Sequence, residues 1–207
     1  MNPRTANPHI REALVETAAR LLSEGGPELL TLRRLTQEVG TSTMAVYTHF
    51  GSMDDLRFEV AREGFKRLRR RLAAVDHSAD PVVDMARLGL AYLTNAMEDA
   101  HIYRVTFGLG ADAPDASELA GVGYDTFMVL VDGVERCIEA GRFGPADPVD
   151  LATQLWSTLH GAVALAQAGL LDESGLNQVF VSTTINLFVG FGDDRDKVMA
   201  AFVDAEY

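Results

Sequence analysis

Apolar residues recur three and four apart along most of this chain, the spacing of one face of an α-helix. Ile10, Leu14, Ala18, Leu21 and Leu22 form the first such stripe, and Leu32, Leu35 and Val39 the second. The breaks between stripes carry helix-ending and helix-starting chemistry. Asn7-Pro8 predicts an N-cap followed by proline at the first helical position, and Gly25-Gly26-Pro27 ends that helix. Thr31 is the predicted N-cap of the second helix. Val39-Gly40-Thr41 reads as a tight turn in which Gly40 supplies a left-handed residue. Thr41 or Ser42 then caps a third helix reaching His49. Ser52, with Asp54 and Asp55 in the first turn, opens a fourth in a capping-box pattern. It runs to about Ala74 and ends Lys/Arg-rich, which suits the negative end of a helix dipole.

Beyond Val75–Pro81 the same spacing predicts a helix from Pro81 to about Asp99 and a short one near His101–Phe107. A Gly/Ala/Asp/Pro loop follows at Gly108–Asp115, then a long helix from about Ser117 to Ala140, closed by Gly141. Asp147-Pro148 opens another to about Gly169, Gly175–Val189 forms the next, and a short helix ends the chain. No strand alternation, internal repeat or low-complexity tract interrupts this pattern. The expected architecture is all-α: an N-terminal three-helix helix-turn-helix DNA-binding domain plus a C-terminal helical domain. The expected limits are 1–55 for the first and 76–207 for the second, with the fourth helix, 52–75, connecting them.

Two short helices joined by a tight turn make a helix-turn-helix, whose second helix enters the major groove of DNA. At 100° per residue, Thr43, Met44, Tyr47 and Thr48 share one side of that helix, and Ala45 and Val46 face inward. Hydroxyls bond phosphates or base edges, and Met44 suits a thymine methyl. The helix holds no Arg or Lys, so bidentate guanine contacts from it are not expected.

Charge supports this reading once it is divided along the chain. The net charge is −12, but residues 1–75 carry 12 Lys/Arg and 9 Asp/Glu, and residues 76–207 carry 6 and 21. A mildly basic head on an acidic body fits a nucleic-acid-binding module oriented by repulsion of its body from phosphate. The run Lys66–Arg71 is not expected to be the DNA patch, since Lys66 lies about 21 Å along the helix from Ser52. Dipole complementation and pairing with the acidic second domain suit it better. Arg4, Arg33 and Arg34 are better placed for the DNA backbone. The lone Cys137 forms no internal disulfide, and no Cys/His spacing suggests a metal site. MNPRTANPH has no apolar stretch of a secretion signal, and no run approaches a membrane span, so a cytoplasmic protein is expected.

The pattern Leu32-x-x-Leu35-x-x-x-Val39-Gly40-x-Ser42-x-x-x-Val46-Tyr47-x-His49-Phe50-x-x-x-x-x-Leu56 resembles the tetracycline-repressor (TetR) family of bacterial regulators. The resemblance covers about the first 65 residues. It implies a homodimer in which each subunit joins an N-terminal DNA-binding domain to a C-terminal domain that binds a small effector, whose binding usually releases the operator. By position, Thr43, Met44 and Thr48 would face bases; Tyr47, His49 and Thr31 would bond phosphates; Phe50 would plug the small core. Ser42, in the turn, and Arg33 complete the expected DNA-binding set. Two departures stand out: Met53 replaces a common Lys, removing a phosphate contact, and Thr36 stands where Ala is usual. Leu155-Trp156-Ser157-Thr158-Leu159-His160-Gly161 resembles the Trp…His-Gly signature of one class of C-terminal domain in this family.

The expected effector site draws on Tyr92, Met97, Tyr103, Phe107, Phe127, Trp156 and His160, with Tyr124 and Met128 as further candidates. Such a lining favours an apolar or aromatic ligand with one or two polar groups, although apolar residues on inward faces are more often core, and His160 more often a satisfied buried histidine. Small and apolar residues of the last two long helices (Leu155, Leu159, Ala162, Val163, Ala166 and Leu170 with Val179, Phe180, Thr183, Leu187 and Phe191) suit either a four-helix dimer interface or a single-chain core. Cys137, beside Glu135 and Glu139, reads as an inert thiol. The alternative from another class is a helical binding protein or enzyme with a vestigial helix-turn-helix. Against it, the chain shows no nucleophile–base pair and no phosphate-binding glycine loop, and no catalytic residue or cofactor is expected.

Overall fold

Leucines at helical spacing, separated by glycine and aspartate punctuation, produce the helices observed in a computed structural model that describes residues 8–108 and 116–205. Among those residues the helices are α1 (Pro8–Gly25), α2 (Leu32–Val39), α3 (Thr43–Phe50), α4 (Met53–Ala73) and α5 (Pro81–Glu98). They continue with α6 (Ala100–Thr106), α7 (Ala116–Glu139), α8 (Pro148–Gln167), α9 (Glu173–Gly190) and α10 (Arg195–Ala205). Arg4, the Asn7 cap and the loop at 109–115 lie outside the described residues. None of the described helices is long and apolar enough to cross a membrane.

The chain forms two compact units, one from residues 1–67 and 99–124, the other from 68–98 and 125–207. In the first, Leu14, Ala18, Leu21 and Leu22 of α1 meet Leu35, Val46, Leu56 and Val60, all nearly inaccessible to solvent. Each such side chain contributes about 1.5–3 kcal/mol through removal from water. Ile102 and Val105 of α6 complete this core. Asp99 fixes the start of α6: one carboxylate oxygen accepts from Ile102 N–H at 3.0 Å, the other from the Ser23 hydroxyl of α1 at 2.5 Å. Where α4 meets α6, a Cβ on Gly64 would lie 1.9 Å from Thr106 Oγ1, so only glycine allows that approach.

In the second unit α5 is buried along most of its length. It packs on α8 and α10, and α9 lies against both. Phe180, Phe188 and Phe202 form an aromatic centre, with ring centroids 5.8 Å and 6.2 Å from Phe202. Leu155, Leu159, Ala162, Val163 and Phe180, read from sequence as interface or core, are core. They sit inside a single chain because α8 and α9 turn these faces toward α5 and α10. Asp172 is the N-cap of α9, accepting from Gly175 N–H at 2.7 Å, so the helix starts two residues before the expected Gly175.

Two arginines tie this unit's loops to its helices. Arg136 donates to the buried Asp84 at 2.7 Å, and Ser78 N–H reaches the same carboxylate at 2.8 Å. Arg142 donates through Nε to Asp193 at 2.9 Å and bonds Asp80 through Nη1. Burial pushes the Asp84 carboxyl up, but the bonds from Ser78 and Arg136 outweigh it and hold it below the usual range. Burial pushes the Cys137 thiol up to about 12, so it stays protonated and inert at neutral pH.

Candidate nucleic-acid interface

Thr31 starts the interface as the N-cap of α2. Its extended backbone turns the chain, and its hydroxyl accepts from Arg34 N–H at 3.2 Å. Gly40 ends α2 at φ 72°, ψ 35°, and Thr41 N–H closes the turn on the Thr36 carbonyl at 2.9 Å. A Cβ on Gly40 would meet nothing within 4 Å, so the left-handed backbone, and not crowding, demands glycine there. Ser42 occupies the N-cap of α3 with extended backbone, but its hydroxyl makes no capping bond. That corrects the sequence expectation of a side-chain cap: the turn closes through Gly40 and Thr41 backbone, and the exposed Ser42 hydroxyl points elsewhere.

The turn leaves one face of α3 open. Val46 is fully buried, whereas Thr43, Met44, Tyr47 and Thr48 are exposed, Met44 by 66% and Tyr47 by 47%. The Thr48 hydroxyl donates to the Met44 carbonyl at 2.7 Å. His49 is half-buried, its ring tilted against Phe50 at 6.2 Å, and Phe50 packs at the edge of the three-helix core. Arg11 of α1 lies over the Phe50 ring at 5.2 Å, a cation–π contact the spacing did not reveal.

The arginines separate by partner. Arg34 pairs with Glu38 at 3.0 Å, and Arg20 bonds the same carboxylate across from α1. Arg57 pairs with Asp54, and Arg11 and Arg62 with Glu59. Arg33 is exposed and forms no ion pair among the described residues, so of the two α2 arginines it alone is available to a phosphate. Sequence reading places Arg34 toward the DNA backbone; the i, i+4 spacing of Arg34 and Glu38 is the signal that could have revealed this pair instead. Met53 is half-buried against the core rather than reaching outward. Thr36 is buried with its hydroxyl satisfied by the Leu32 and Arg33 carbonyls, so the family's smaller residue is replaced without an orphaned polar group. Within the basic run, Arg69 lies 3.5 Å from Asp125 and Arg71 2.5 Å from Glu98, the expected pairing with residues of 76–207, whereas Arg67 lies 3.7 Å from Glu63 of its own helix.

The residues read as effector-binding divide between the units. In the second, Tyr92 hydroxyl and His160 Nδ1 are 3.1 Å apart, the Trp156 ring lies 5.6 Å from His160, and Phe127 lies 6.0 Å from Trp156. Burial lowers the His160 imidazole below its ordinary range, favouring the neutral ring. Tyr103 and Phe107 belong to the first unit, packed on each other at 4.7 Å, with Phe107 also on Phe65 at 5.3 Å. Met97 is exposed by 43% and joins neither group. Periodicity identified all seven as candidates for an inward face but carried no sign of which unit each would enter.

Comparison with known proteins gives two family matches. Residues 14–60 match the family described as bacterial regulatory proteins, tetR family. Residues 85–186, a range that includes Trp156, His160 and Gly161, match the one described as tetracyclin repressor-like, C-terminal domain. The HTH-type transcriptional repressor AcnR of Corynebacterium diphtheriae is 36% identical over 164 residues, 78% of this chain and 84% of AcnR. A structure of a protein of unknown function from Rhodococcus sp. RHA1 superposes with a TM-score of 0.76 at 27% identity, covering 89% of this chain and 96% of that one. RolR in complex with the ligand resorcinol shares the fold, with a TM-score of 0.70 at 17% identity over 94% of this chain and 93% of its own. These matches remove the enzyme alternative, because the family is one of regulators. An exposed recognition helix behind a glycine turn and family matches in both halves lead to one conclusion: this chain belongs to the tetR family of helix-turn-helix, DNA-binding transcriptional regulators.

Proposed function

We propose that this protein is a cytoplasmic, ligand-responsive repressor that binds a palindromic operator as a homodimer and leaves it when a small molecule binds. The observation that carries the DNA reading is the open face of α3, with Thr43, Met44, Tyr47 and Thr48 exposed together. Thr43, Met44 and Thr48 read bases. Tyr47, His49, Ser42, Thr31 and Arg33 hold the DNA backbone and set the register. In this division of labour 1–55 reads DNA and 76–207, beyond α4, holds effector and partner, with residues 99–124 packed in the first unit.

Dimerisation is supported by α8 and α9. Leu151–Leu171 and Ser174–Gly192 contain no Asp, Glu, Lys or Arg in a chain of net charge −12. Their outer faces carry Gly161, Ala164 and Leu165 on α8, Ala168 at its C-cap, and Gln178, Ser182 and Asn186 on α9, all exposed. Such a surface suits close helix packing in a two-fold four-helix interface.

The effector reading rests on Tyr92, Phe127, Trp156 and His160, where aromatic rings adjoin one half-buried imidazole that burial favours as neutral. It favours an uncharged aromatic ligand with a hydroxyl for His160, in keeping with the Trp…His-Gly type of C-terminal domain and with RolR, a likeness of fold whose ligand is resorcinol. The test is selection of fragments of the source genome by the purified protein at moderate salt, followed by displacement with a panel of uncharged aromatics. A recovered palindrome and displacement by at least one compound are expected. No enrichment by a folded protein would sink the operator reading, and sedimentation as a monomer at micromolar concentration would sink the dimer.

A further inference from the structure

The reading face of α3 has an unusual chemistry for a DNA reader. Between Arg34 and Arg57 the sequence holds no Lys or Arg. The two flanking arginines are engaged within their own unit, Arg34 with Glu38 at 3.0 Å and Arg57 with Asp54 at 2.7 Å. His49 lies half-buried at the far end of the helix against Phe50. The face therefore presents hydroxyls and one thioether, and no nitrogen donor.

Each exposed group limits what it reads. Guanine shows the major groove two acceptors, N7 and O6, which a two-pronged donor satisfies. No side chain of this face is such a donor. Met44 is apolar and 66% exposed, and the only apolar group of the unmodified major groove is the thymine methyl. Thr48 has one hydroxyl proton, and it is already donated to the Met44 carbonyl at 2.7 Å. Toward DNA that oxygen offers lone pairs, which accept from an exocyclic amino group. Cytosine and adenine both carry such a group in the major groove, but only an A·T pair supplies an amino donor and a methyl together.

We infer that Met44 and Thr48, one helical turn apart on the exposed face, read a single A·T pair in each half-site, Met44 on the thymine methyl and Thr48 Oγ1 as an acceptor from the adenine amino group. This rests on α3 being the recognition helix. Specificity comes from a methyl and an acceptor in place of arginine, and the phosphate contacts of Tyr47 and Arg33 carry no base preference.

The experiment selects binding sites from a random duplex pool with the full-length protein. It then replaces each selected thymine beneath α3 by deoxyuridine, which removes only the methyl. Wild type is expected to lose about fourfold in affinity per contacted methyl, the worth of one buried methyl-sized group. Met44→Ala is expected to lose nothing on the same replacement, and Thr48→Val to weaken the discrimination between A·T and T·A at that pair while keeping the methyl effect. Met44 and Thr48 are exposed, so these variants keep the fold, which circular dichroism checks. Absence of a selected A·T pair beneath α3, or equal binding of deoxyuridine sites by wild type, overturns the inference. In that case changed selection by Met44→Arg leaves α3 as the reading helix. If every Met44 and Thr48 variant selects the wild-type sequence with wild-type affinity, α3 reads no bases and the underlying assignment fails as well.

Discussion

Thr106 and Gly64 meet at the closest approach of α4 and α6, and their two substitutions are expected to act in opposite directions. Thr106 Oγ1 is buried without a hydrogen-bond partner among the described residues. Thr106→Val keeps the shape and removes that orphaned hydroxyl, so it is expected to raise unfolding free energy by about 1 kcal/mol. Gly64→Ala puts a methyl where Thr106 stands and is expected to cost about 1–3 kcal/mol. Urea denaturation of the two variants and the double mutant checks both values, and equal stability of Gly64→Ala and wild type contradicts the packing described. At the same scale, Arg33 is the available cation of α2. Arg33→Ala is expected to weaken operator and non-operator DNA alike and to reduce the salt slope by about one for each protomer. Loss of sequence preference without a change in slope would place Arg33 on a base instead. Single residues were legible where the helix spacing alone decides their side, as with Val46 inside and Met44 outside. They were not legible where a tertiary partner decides. Arg11 on Phe50 and the core position of Met53 depend on where α1 crosses the start of the helix-turn-helix, which spacing does not encode.

Helix limits fall within two residues of expectation where punctuation is strong: proline opens α5 and α8, aspartate caps α8 and α9, and Gly40 and Gly141 close α2 and α7. The placement of α6 was not legible. Its seven residues show no stripe long enough to reveal a partner, and the Ser23–Asp99 bond that seats it on α1 joins residues 76 apart. For the same reason Tyr103 and Phe107 could not be separated from Tyr92 and Trp156. Helix α8 carries its own prediction. A Cβ on Gly161 would meet nothing within 4 Å in its own chain, so glycine is not required there by the single-chain fold. In a helix interior it costs about 1 kcal/mol relative to alanine. If a second copy of α8 packs on this face, Gly161→Leu is expected to shift sedimentation toward monomer while helical content is unchanged. Gly161→Leu remaining dimeric at wild-type affinity would move the interface to another face.

Across the whole molecule, acid is expected to act in two separate stages, because two kinds of titrating group are held away from their ordinary range. Burial lowers His160, so folding favours the neutral imidazole beside Tyr92. Its contribution is fully present above the unfolded value near 6.5 and is lost as pH falls through that value toward the lower folded one. The carboxylates respond later. Burial raises Asp84 and Glu59, but Ser78 and Arg136 outweigh it at the first, and Arg11 and Arg62 at the second, so both are depressed overall. Their contribution is present above the unfolded values near 4 and vanishes as pH falls through the folded ones. Asp84 belongs to one unit and Glu59 to the other, so the late stage weakens both units over the same range, whereas the early stage touches only the unit that holds the proposed effector site. Unfolding free energy measured by urea from pH 8 to pH 3 should therefore be level above about 6.5, decline gently below it, and fall steeply below about 4. His160→Gln is expected to remove the gentle decline and leave the steep one. Arg136→Met strands Asp84 and is expected to cost about 2–3 kcal/mol at pH 7, near the lower edge for a buried pair because the guanidinium is partly exposed. That variant should also make the steep stage shallower, because without Arg136 the Asp84 carboxyl is no longer held as far below its unfolded value. A gentle decline that survives in His160→Gln would assign it to another group.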